Sequence, residues 1–229
     1  MLFRSGGTGC IIKVEGLYHL YYCVFEDQPQ RQYVCHATST DLTNWTKYPD
    51  ETFGPDESIY LLTDWRDPHV IWNEEEKCWW MILCAQNQGN TKRRGCVGLC
   101  KSADLHHWTC CEPLYAPQSS MSAYECPDLF YMNGWWYLVF SQFTDRFQTL
   151  YRMSRSCNGP WIRPKTDSFD GRAFYAAKTC SDGEHRYIFG WNPTRTQNTW
   201  NFDPDPTHEG YDYKRSEEHT SELQSRITI

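Results

Sequence analysis

Trp65-Arg66-Asp67-Pro68-His69-Val70-Ile71-Trp72, a polar turn, then Cys78-Trp79-Trp80-Met81-Ile82-Leu83: an acidic motif leads into two aromatic-rich strands. The pattern returns as Tyr124-Glu125-Cys126-Pro127-Asp128, Leu129-Phe130-Tyr131-Met132, the turn Asn133-Gly134, and Trp135-Trp136-Tyr137-Leu138-Val139-Phe140. Each motif stands just before what reads as the first strand of a pair, at the same place in a repeating unit. Two acids at equivalent points of a repeat can converge on one axis.

Working outward, the repeat is about sixty residues long. Thr38-Ser39-Thr40-Asp41-Leu42-Thr43-Asn44-Trp45 recurs as Lys101-Ser102-Ala103-Asp104-Leu105-His106-His107-Trp108, with a weaker echo at Met153–Trp161. Each copy reads as a strand ending in Ser, a turn and a Trp opening an outer strand; the first two turns carry Asp. Ser and Asp close such turns through side-chain-to-backbone hydrogen bonds. Three further strands precede each turn, starting near Cys10, His69 and Leu129, and a fourth unit begins at Ala173. Period-two alternation is visible and helical patterns of 10–15 residues are absent. A sandwich would also give many strands, but not a recurring four-strand unit. The expected fold is therefore all-β, a propeller of four-stranded antiparallel blades.

Composition narrows the function. Hydrophobic residues make up 40% of the 229, enough for a core, and the 16% aromatic content with 11 Trp suits both strand packing and stacking on sugar faces. A net charge of −7 without a Lys/Arg patch argues against nucleic acid. No apolar run reaches membrane-spanning length, so no membrane partner is expected. The twelve cysteines lie mostly inside strand-like runs without a C-x-x-C pair, which reads as small buried apolar residues in a reduced compartment and favours the cytoplasm. Both ends, residues 1–5 and Arg215–Ile229, resemble translated adapter sequence, so residues 6–214 are expected to form the domain, a piece of a longer gene.

The ordered set Arg66-Asp67-Pro68, Glu125-Cys126-Pro127, Phe174-Tyr175-Ala176-Ala177 and Gly190-Trp191 resembles glycoside hydrolase family 32, the β-fructosidases, over nearly all of residues 6–214. The resemblance implies a five-bladed propeller followed by a β-sandwich, with the first blade largely missing here and the last incomplete. It also implies retaining hydrolysis of β-D-fructofuranosyl linkages in sucrose or fructans through three acids. Glu125 would be the general acid/base and Asp67 the transition-state stabiliser; Arg66, Tyr175 and Trp191 would bind substrate. The nucleophile is an Asp in an N-D-P-N-G motif. This sequence has no such motif, so the chain as written is expected to be inactive. No metal or organic cofactor is implied.

Aligning the two motif prolines sets Glu125 opposite Arg66, leaving the acids offset by one residue. The family's S-G-S is here Thr8-Gly9-Cys10, and Ala173 stands where an Asp commonly precedes F-Y-A-A. Asp64 and Asp128 read as turn or solvent groups, His106-His107 as surface, and Trp45, Trp108 and Trp161 as packing residues. Two other readings stand beside the fructosidase: a related five-bladed glycosidase acting on arabinan or xylan, and a non-catalytic carbohydrate-binding propeller.

Overall fold

The structure, a computed structural model, describes residues 5–27, 30–89, 91–144, 147–169 and 174–191. Ala173, Trp200 and the adapter-like runs, Ser5 apart, lie outside these residues. The first sheet holds β1 (Ser5–Val14), β2 (Leu17–Asp27), β3 (Gln30–Ser39) and β4 (Thr46–Lys47). The second holds β5 (Tyr60–Asn73), β6 (Cys78–Asn87), β7 (Gly95–Ser102) and β8 (Thr109–Tyr115). β9 (Tyr124–Met132), β10 (Trp135–Gln142) and β11 (Gln148–Ser154) form the third, and β12 (Tyr175–Ser181) and β13 (Arg186–Trp191) the fourth. Within each sheet every strand pairs antiparallel with its neighbour in sequence. The helical content among the described residues is one 3-10 turn, Pro49–Glu51. The all-β propeller expectation therefore holds. The third sheet departs from it: its outer strand is reduced to the bridges Met153↔Ile162 and Leu150↔Ser168.

Why the strands read as continuous apolar runs is plain from the packing. β6 buries both faces: Met81, Leu83 and Ala85 face one core cluster with Tyr21 and Val34, whereas Trp80 and Ile82 face another with Leu138 and Phe140. β10 does the same, sending Leu138 and Phe140 one way and Tyr137 and Val139 toward Phe174 and Ile188. Alternate residues of a strand point to opposite faces, so a strand sandwiched between two sheets must be apolar at every position. Burying one such side chain is worth about 1.5–3 kcal/mol.

The repeated turns match in detail. Ser39 Oγ accepts from the N–H groups of Asp41 and Leu42 at 3.2 and 2.9 Å, and Ser102 Oγ accepts from those of Asp104 and Leu105 at the same distances. Leu42 and Leu105 stand at φ +62° and +69°. Asp41 Oδ1 accepts from the Thr43 and Asn44 N–H groups, as Asp104 Oδ1 does from His106 and His107. Trp108 packs edge-on to Tyr21 and Trp161 joins the second core cluster, the packing roles expected of them.

Candidate active site

Each innermost strand breaks its register at the same point, and β5 breaks a second time between Tyr60 and Trp65. In β5, Arg66 pairs with Cys84 and His69 with Ile82, so Asp67 and Pro68 together oppose Leu83. In β9, Glu125 pairs with Ser141 and Asp128 with Val139, so Cys126 and Pro127 oppose Phe140. In β12, Tyr175 pairs with Trp191 and Lys178 with Phe189, so Ala176 and Ala177 oppose Gly190. β1 breaks likewise between Gly6 and Gly9. These are β-bulges, and Asp67, Cys126 and Ala176 take φ of +56°, +49° and +53°. The motifs thus lie inside the strands, not ahead of them as the sequence suggested. Proline is tolerated there because a bulge frees its position from the hydrogen-bond ladder.

The bulges fix the equivalences. Arg66, Glu125 and Tyr175 occupy one position and Asp67, Cys126 and Ala176 the next. The one-residue offset of the acids is real, and inter-sheet hydrogen bonds put it to use. Asp67 Oδ2 accepts from the Cys126 N–H at 2.9 Å, and Ser141 Oγ accepts from the Ala176 N–H at 2.8 Å. The bulges of β9 and β12 thus each have one backbone N–H satisfied by a side chain of the preceding sheet.

Arg66 is the centre of the polar cluster. Its Nη2 donates to Glu125 Oε1 at 2.7 Å, its Nη1 to Asp64 Oδ1 at 2.6 Å and to Gln32 Oε1 at 3.3 Å, and its Nε lies 4.0 Å from Asp67 Oδ2. Burial works against the Arg66 charge, but Asp64 and Glu125 are among the neighbours that more than offset it, so its pKa stands above the ordinary value. Tyr175 donates its hydroxyl to Glu125 Oε2, and its ring stacks on Phe147 at 3.8 Å and 9°. Burial, then the Glu125 charge, push the Tyr175 phenol pKa up. Burial likewise raises the thiols of Cys84 and Cys126 beside the cluster, keeping them protonated and inert.

Of the expected site residues, Arg66, Asp67, Glu125 and Tyr175 come together. Trp191 pairs with Tyr175 across β12–β13 and is largely exposed. Two expectations need correction. Asp64 is no solvent group: it bridges Arg66 and Gln86, whose Nε2 donates to Asp64 Oδ2 at 2.6 Å. Asp128 is buried, accepts from the Thr179 N–H at 2.6 Å and lies 3.3 Å from His69 Nε2. Sequence motifs do not single out Gln32 or Gln86: Gln32 reaches Arg66 from β3 of the neighbouring sheet, and Gln86 reaches Asp64 from β6.

This is the fold of the propeller glycosidases. It matches a family 32 β-fructofuranosidase of Bombyx mori (TM-score 0.64, 23% identity, 80% of this chain and 42% of that one) and an exo-inulinase of Aspergillus awamori (TM-score 0.63, 16% identity, 87% and 48%). The profile described as "Glycosyl hydrolases family 32 N-terminal domain" matches residues 55–211, and the chain belongs to that family. The matched span is shorter at its start than the motifs suggested. Among curated proteins the chain is 30% identical over 185 residues to the sucrose-6-phosphate hydrolase of Escherichia coli, covering 72% of this chain and 36% of that protein. It is 28% identical over 160 residues to a levanbiose-producing levanase of Geobacillus stearothermophilus, covering 67% and 34%. The chain thus spans about a third of the length of these two relatives.

Proposed function

We propose that the protein of which this chain is part hydrolyses β-D-fructofuranosyl linkages of sucrose or fructans with retention at the anomeric carbon. The observation that carries the reading is the Arg66 guanidinium, bound to Glu125 and lying beside Asp67, with Tyr175 completing the Glu125 shell. In this scheme Glu125 protonates the leaving oxygen and then activates water for the second displacement. Asp67, its carboxylate oriented by the Cys126 N–H, hydrogen-bonds the fructosyl hydroxyls and stabilises the oxocarbenium-like transition state. Arg66 and Tyr175 bind the sugar, and Trp191 offers an aromatic face beside them. The substrate is the one partner proposed.

The third acid decides the test. The sequence contains no N-D-P-N-G motif, so the chain alone should release no fructose from sucrose, inulin or levan. Joined to a first-blade segment that bears the motif, taken from a family 32 relative, it should gain fructose release, and Glu125→Gln should remove that gain. Turnover by the chain alone, or turnover indifferent to Glu125→Gln, would refute the assignment. Fructan binding without hydrolysis in the joined protein would favour a carbohydrate-binding propeller, and pentose release from arabinan or xylan the other glycosidase reading.

A further inference from the structure

Away from the Arg66 cluster, the seam between the first two sheets gathers three histidines around one carboxylate. Glu51, closing the 3-10 turn Pro49–Glu51, accepts from His36 Nδ1 at 2.6 Å through one oxygen and from His106 Nδ1 at 2.8 Å through the other. His36 sits on β3 of the first sheet; His106 sits on the turn after β7 of the second. The expectation that His106 is a surface residue is therefore corrected, while its neighbour His107 is exposed. The ligand atoms of His36, Glu51 and His106 all lie within 4.8 Å of one another.

We propose that His36 Nδ1, the Glu51 carboxylate and His106 Nδ1 form a binding site for a divalent transition-metal ion of the zinc class, clamping the first sheet to the second. Two imidazoles and a carboxylate suit zinc, cobalt or nickel; calcium and magnesium favour all-oxygen sets. Side-chain exposures of 3%, 20% and 34% for His36, Glu51 and His106 give the site a buried floor and an open rim, which lets an ion enter and leaves a fourth position to water. Ligands held about 2.0–2.1 Å from a tetrahedral ion stand about 3.3 Å apart, and the three ligand atoms here are already gathered within 4.8 Å of one another.

The surroundings are those of a metal ligand. His36 Nε2 lies 3.0 Å from His19 Nδ1, so with an ion on Nδ1 the His36 proton moves to Nε2 and donates to His19. Such an outer hydrogen bond orients a ligating imidazole and raises its basicity. The His36 ring is held by stacking on Tyr21 at 4.6 Å and Tyr48 at 5.1 Å. Tyr21 also donates its hydroxyl to the Leu105 carbonyl at 2.6 Å, anchoring the turn that carries His106.

The test is a Zn²⁺ titration of the full chain against a competing chromophoric chelator, with Co²⁺ as a spectroscopic probe. One tight equivalent is expected, weakened about 100-fold or more by His106→Ala and about tenfold by His19→Ala, and unchanged by His107→Ala. The Co²⁺ adduct should show tetrahedral d–d bands without thiolate charge transfer, a readout of the unmodified chain that needs no variant to fold. Lack of stoichiometric binding would overturn the proposal and leave a neutral hydrogen-bonded histidine cluster. So would a thiolate band, which would place the ion on the twelve free cysteines, or binding indifferent to both His106→Ala and Glu51→Gln.

Discussion

Arg66 touches Asp64, Gln32 and Glu125 and lies beside Asp67, and only part of that company could be read from the chain. Arg66, Asp67 and Glu125 stand in short motifs whose letters survive without any fold. Gln32 and Gln86 have no motif, because their place depends on the packing of one sheet on the next and on strand pairing between residues more than twenty positions apart. Tyr175 shows how much one partner matters. Its hydroxyl donates to a carboxylate, and a hydrogen bond to a charged group contributes about 1.5–3 kcal/mol. Tyr137 is equally buried, yet its hydroxyl has no partner among the described residues. Tyr175→Phe should therefore destabilise by about 1–2 kcal/mol, discounted because Glu125 is partly solvated, whereas Tyr137→Phe should be neutral or stabilising. Urea midpoints of the two variants check this. Equal losses would mean that ring packing, not the hydroxyl, sets both values.

At the scale of the element, the turns were legible and the bulges were not. The Ser-x-Asp-Leu pattern declares its own hydrogen bonds, and the structure repeats them in two sheets at matching distances. A bulge is a property of two strands, since it exists only where a pair of residues opposes one on the partner. Asp and Pro together read locally as a loop, which is why the strands were expected to start later than Tyr60 and Tyr124, where β5 and β9 begin. Ala176 and Ala177 allow a sharp test, as adjacent alanines in one bulge with opposite demands. Ala176 holds φ +53°, where a Cβ is strained by about 1–2 kcal/mol. Ala177 is fully buried against Phe130 and Val139. Ala176→Gly should raise the melting temperature by the equivalent of about 0.5–1 kcal/mol, and Ala177→Gly should lower it by at least as much. A loss in both would mean that the Ala176 methyl packs more than its backbone strains.

For the whole molecule, the informative fact is that β6 and β10 each belong to two core layers at once. In a linear repeat array each unit meets only its neighbours, and stability is a sum of local terms that can separate under stress. Here Met81 and Ile82 are adjacent in sequence but face different layers, so loosening one layer displaces the strand that forms the wall of the other. Met81→Ala removes a fully buried side chain and should cost about 2–5 kcal/mol, the range for large-to-alanine changes in a core. The loss should spread: amide exchange in β9 and β10 of the third sheet, which Met81 does not face, should quicken along with exchange in β5 and β6. Chemical unfolding should keep one transition with an unchanged m-value. Two resolved transitions, or faster exchange confined to the first two sheets, would show that the blades unfold as separate units and that the shared strands do not couple them.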